Sequence, residues 1–105
     1  MDRILDILQE IQLPFAYDHF AEGESPEPPF ICYLIPGSDN FAADGKVYVK
    51  INEFNIELYT DCKNPALENS VEAVLDNHSI FYNKSEVWIE SEKLYEVLYT
   101  FEMEV

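Results

Sequence analysis

The sequence predicts an α+β domain: a mostly antiparallel sheet of about four to five strands with two helices packed on one face, in the order α-β-β-β-α-β-β. Three observations carry that expectation. Residues 2–13 and 64–78 repeat apolar side chains at helical spacing. Residues 46–60 and 93–105 alternate apolar and polar side chains at period two. The chain has 105 residues, 48% of them hydrophobic, which suits a single domain over 1–105 with one core.

In the first helix Ile4, Leu5, Leu8 and Ile11 make one apolar face. Asp2 stands where an N-cap belongs, and Pro14 biases Leu13 out of the helix. Ile7 falls off that stripe, so the helix is expected to touch protein on more than one side. Residues 14–17 are short and extended. Residues 18–28 hold too much proline and acid for a helix or a central strand. Residues 30–35 are an apolar run, read as a buried strand that Pro36-Gly37 closes.

A second loop follows at 37–45, and both loops exceed the usual ~4–6 residues, which leaves them free to move or to make contacts. In 46–60 the apolar parity changes between Ile51 and Phe54. A turn or bulge at Asn52-Glu53 accounts for the change, and a hairpin is the favoured reading. Asn64 as N-cap and Pro65 at the first position open the second helix, with Leu67, Val71, Val74 and Leu75 on one face. Asn77 and His78 mark its end. Two strands finish the chain: 79–89, interrupted at Asn83-Lys84-Ser85, and 93–105, apolar and aromatic on one side and half acidic on the other.

Charge narrows the functions. With 21 acids against 6 bases the net charge is -15, which repels phosphate backbones and anionic lipid. No nucleic-acid or membrane partner is expected. The first residues carry acids where a secretory leader needs a basic start and an apolar run, so a cytoplasmic protein is expected. Cys32 and Cys62 form no CxxC motif and are expected to be reduced thiols. His19 and His78 belong to no metal-ligand pattern, and no metal or cofactor is expected.

No GxSxG, HExxH, GxGxxG or GxxxxGK[ST] motif occurs, and three glycines are too few for a phosphate cradle. Asp61-Cys62-Lys63 has the acid-x-Lys order of some metal-dependent nucleases. In so acidic a chain the triplet arises by chance about once, and a polar turn before Asn64 explains it. Glu90 and Glu92 are expected to flank a turn. Glu96, Glu102 and Glu104 are expected on a solvated or subunit-facing strand.

Several stretches carry a family resemblance. They are Ile56-Glu57-Leu58-Tyr59-Thr60-Asp61-Cys62-Lys63-Asn64-Pro65, the helix after it, and Glu90-Ser91-Glu92-Lys93-Leu94-Tyr95-Glu96-Val97. Leu13-Pro14-Phe15-Ala16-Tyr17 and Asn40-Phe41-Ala42-Ala43-Asp44-Gly45 add to it. From Leu13 onward the chain resembles small tail-terminator or tail-completion proteins of long-tailed phages and prophages. The resemblance implies a non-enzymatic virion structural protein that forms a homo-oligomeric ring, a hexamer, at the head-proximal end of the tail. Its partners would be itself, the tail tube and the head connector. It would lie first in the host bacterial cytoplasm and then in the virion tail.

Within that reading Phe20 and Phe41, lone aromatics in the two loops, and Asp44 are the candidate subunit contacts. Each aromatic is either tucked against its own domain or an anchor for a neighbour. Two other classes stay open: an acidic mimic of nucleic acid that occupies a DNA-binding enzyme, and a small metal-dependent nuclease resting on Asp61 and Lys63.

Overall fold

Helix α1 spans Arg3–Ile11, and strands β1 (Phe15–Tyr17) and β2 (Phe30–Ser38) follow it. Next come β3 (Phe41–Ala43), β4 (Lys46–Val49) and β5 (Ile51–Thr60). Helix α2 (Pro65–Asn77) and strands β6 (Tyr82–Ile89) and β7 (Leu94–Glu104) complete the chain. The structure, a computed structural model, describes residues 3–104. The expected cap at Asp2 and the strand end at Val105 lie outside the described residues.

The fold is α+β, as the periodicities predict. Five strands form one sheet in the order β1-β2-β5-β7-β6, antiparallel except for the parallel β1–β2 pair. A crossover over residues 18–29 joins β1 to β2. Both helices serve the same face. In β5 the side chains of Phe54, Ile56 and Leu58 are buried, and their partners Phe101, Tyr99 and Val97 on β7 are buried with them. Ile4, Ile7 and Leu8 of α1 and Val71 and Leu75 of α2 close that core. Ile7 is fully buried while Leu5 is only half-buried, so the α1 stripe is rotated from the expected one. The reason is that α1 packs against both the sheet and α2, which widens its buried arc.

Capping in α2 follows the sequence. The Asn64 side chain accepts the Leu67 N–H at 3.1 Å, and Pro65 occupies the first turn. At the other end the Arg3 guanidinium donates to the His78 carbonyl at 2.5 Å, and the His78 ring pairs with Glu10. The two helices are thus clamped where α2 ends.

Three expected boundaries are corrected. β5 runs unbroken through Asn52 and Glu53, each paired with β7, so there is no hairpin turn there. Val47 and Val49 belong instead to β4, which ends before Lys50, and Ile51 opens β5 on the face opposite Phe54, so no slip within the strand is needed. The segment 37–45 is not one loop, because β2 continues to Ser38 through a bulge between Leu34 and Gly37 and β3 begins at Phe41. Last, β6 is continuous across Asn83-Lys84-Ser85. An edge strand has only one neighbour to satisfy and does not need apolar alternation.

Candidate functional site

Two charged clusters and two exposed surfaces are the places where the described residues could act on something else. The first cluster braces α2 against β6. Lys84 on β6 reaches Glu68 and Glu72 of α2, each at 2.8 Å, and Lys63 reaches Glu68 at 2.7 Å as well as Glu86. The Tyr99 hydroxyl donates to Glu72 at 2.8 Å. Burial alone would raise the Glu68 carboxyl, but hydrogen bonds from Lys63 and Lys84 outweigh it and hold the group below its ordinary range. Glu72 follows the same pattern, with Lys84 and Tyr99 as the stabilising donors. Lys63 is therefore part of a brace, while Asp61 stays exposed. No three His, Cys, Asp or Glu among the described residues gather as metal ligands.

The second cluster lies on the sheet face that carries no helix. Cross-strand register sets Phe30 opposite Tyr59 and Tyr59 opposite Glu96, with Cys32 opposite Glu57. The Tyr59 hydroxyl lies 3.1 Å from Glu57 and 3.3 Å from Glu96, so one hydrogen serves two carboxyl groups. Burial, and then the charge of Glu96, push the Glu57 carboxyl up to about 7. Burial, followed by Glu57, pushes the Cys32 thiol up to about 11, which keeps it an unreactive thiol. Glu96, expected with Glu102 and Glu104 on a solvated or subunit-facing strand, is half-buried, whereas those two are exposed. Glu57 can therefore keep its proton near neutral pH. Sequence reading missed it because Glu57 and Glu96 lie 39 positions apart (96 minus 57) and only the β5–β7 register joins them.

Part of this face is roofed by the 18–29 crossover. Phe20 packs edge-to-face on Phe30 with ring centroids 5.4 Å apart, and Phe30 stacks on Tyr59 at 5.2 Å. Phe20 is thus tucked against its own domain. A cleft of about 620 Å³ lies between crossover and sheet, lined by Phe20, Phe30, Cys32, Tyr59 and Leu94 among others.

Phe41 and Asp44 lie elsewhere. β3 and β4 pair only with each other and form a two-stranded arm outside the five-stranded sheet. Asp44 and Gly45 make its turn, both at positive φ (53° and 73°), the geometry that Asp-Gly favours in a tight hairpin. Phe41 is 65% exposed on the arm. Asn40 accepts the Ile51 N–H at 3.1 Å and ties the root of the arm to β5. The remaining exposed surface is the edge strand β6. Phe81 just before it, and Val87 and Trp88 within it, are exposed large apolar side chains. Its sequence signal was the Asn83-Lys84-Ser85 stretch, which the periodicity reads as a break.

No helix among the described residues is long and apolar enough to cross a membrane. No family model matches the chain, and no curated protein matches it significantly.

Proposed function

We propose that this chain is a virion structural subunit of a long-tailed phage or prophage, a tail-terminator or tail-completion protein that rings the head-proximal end of the tail and docks to the head connector. It works by contact and carries out no reaction. The observation that supports this most is the β3–β4 arm: it stands outside the main sheet, and Phe41, Ala42, Asp44 and Lys46 on it are exposed. Such an arm costs chain entropy with little core in return, and a neighbour that buries Phe41 offsets the cost. Its first strand and turn, within Asn40 to Gly45, also belong to the family resemblance. A net charge of -15 keeps the subunit soluble before assembly.

The test joins imaging to complementation. Purified protein is expected to give rings in negative stain, and Phe41→Ala is expected to leave the melting temperature unchanged while it blocks head–tail joining in the phage. A phage that joins heads to tails normally without this protein would overturn the proposal.

A further inference from the structure

A sheet edge that leaves its backbone groups free is a template for another strand. The five-stranded sheet has two edges, and they differ. On the β1 side the edge strand has three residues. Beyond it the Tyr17 hydroxyl accepts the Ile35 N–H at 3.1 Å, Pro36 has no N–H, and the bulge at 34–37 breaks the register. On the β6 side eight residues pair with β7 alone, with no proline and no bulge. Lys84, which could have guarded this edge, is drawn down onto Glu68 and Glu72.

We infer that β6 pairs with β6 of a second copy of this chain, antiparallel about a twofold axis at Ser85, so that two five-stranded sheets become one. Because the β1 edge is closed, within the described five-stranded sheet strand-to-strand growth from β6 has only another β6 to meet. Two neighbouring antiparallel strands related by a twofold axis must be centred on one residue, and residues of equal parity then face the same side. Centring on Lys84 or on Glu86 would set like charges against each other. Centring on Ser85 sets Lys84 against the partner's Glu86, twice over, and Tyr82 against the partner's Trp88. It also carries Phe81, 86% exposed, to the partner's Ile89. Charge favours the same surface. β6 holds one lysine and one glutamate and is locally neutral, in a chain whose net charge is -15 and whose copies otherwise repel.

This pairing is separate from the proposed ring, which needs head-to-tail contacts and leaves β6 uncommitted. The two are told apart by site-directed cross-linking in a Cys62→Ser background, because Cys62 is exposed and Cys32 is buried. Directly opposed residues bring Cβ atoms to ~4.5–5.5 Å, close enough for a disulfide after small adjustment. Ser85→Cys is expected to form a cross-linked dimer on mild oxidation. Asn83→Cys and Val87→Cys should stay largely unlinked alone and cross-link when mixed. Sedimentation of the unmodified protein from micromolar to millimolar concentration should move toward twice the mass of the species present at the lowest concentration, be it monomer or ring. A monomer at every concentration overturns the inference and leaves the edge to a strand of some other protein. An oligomer in which Ser85→Cys does not cross-link overturns it equally.

Discussion

The two edges of the sheet are finished by different chemistry. On the β1 side aromatic rings do the work: Tyr33 meets Phe15 and Tyr17 edge-to-face, with centroids 6.2 and 5.1 Å apart. One hydroxyl and one proline then remove the spare donors of β2. On the β6 side the fastening is ionic and runs underneath, from Lys84 and Lys63 to the carboxylates of α2, while the outer backbone is left uncovered. Covering an edge and anchoring it are separate tasks, and this chain performs the first only at β1. A strand held from below by charge is ordered enough to present its backbone, yet no other described strand pairs with its outer side.

The largest expected effect comes from cutting the anchor. Lys84→Met keeps the aliphatic stem and removes the ammonium group that Glu68 and Glu72 share. Breaking a fully buried pair costs ~3–5 kcal/mol. Lys84 is partly exposed and Glu68 keeps Lys63, so a loss of about 1–3 kcal/mol is expected here. Urea unfolding with an unchanged slope would measure it. The direction with pH follows from the lowered carboxyls: the brace contributes above their ordinary value of 4.5 and fades as pH falls through their depressed values. A near-neutral Lys84→Met would mean that β7 pairing alone holds the edge.

The acid pair on the open face should act with the opposite sign. Glu57 is raised from 4.5 to about 7, so the folded state takes up a proton that the unfolded chain releases. Its stabilising contribution is complete below 4.5 and is lost as pH rises through about 7. Glu57→Gln fixes the neutral form and keeps an oxygen for the Tyr59 hydroxyl. It is expected to melt higher than the parent at about pH 8, by ~4–8 °C for each kcal/mol relieved, and to show little gain at about pH 4.5. Parallel melting curves at both pH values would show that Glu57 ionises in the folded protein as it does in the unfolded chain.

How far the sequence foretold these features depends on the range of the forces involved. α2 was legible because its cap, its proline and its Val71–Leu75 spacing act within a few residues. β7 was legible because its alternation is strict and one face is core. β6 was misread at Asn83-Lys84-Ser85, because its charged residue is satisfied by α2 acids 12 and 16 positions earlier (84 minus 72 and 84 minus 68). The arm was half visible. Asp44-Gly45 is a local hairpin signal, but the break at Lys50 shows only in the pairing, where Val49 faces Phe41 and Ile51 faces Glu104. Phe41 and Asp44 therefore stand on an exposed arm and Phe20 does not, a division that two similar loop aromatics could not disclose. The Glu57–Tyr59–Glu96 contact needed strand pairing as well.

The smallest effect on stability, and the sharpest test of the difference between the edges, belongs to Pro36→Val with Tyr17→Phe. Valine restores a backbone donor at the β1 edge, and phenylalanine removes the hydroxyl that occupies the Ile35 N–H. Both positions are exposed, and each change keeps most of the side-chain volume, so stability should stay within about 0.5–1 kcal/mol of the parent. Association should change more than stability does. With both edges open, β6 of one copy can meet β2 of the next, a head-to-tail contact that does not close on itself. Species larger than the parent's are then expected in sedimentation at high concentration, and β-rich aggregate on warming. If the double variant sediments as the parent does, the bulge at 34–37 and the short β1 strand are sufficient to close this edge. Proline and hydroxyl would then be redundant, and the asymmetry of the sheet would rest on backbone shape instead of on donor removal.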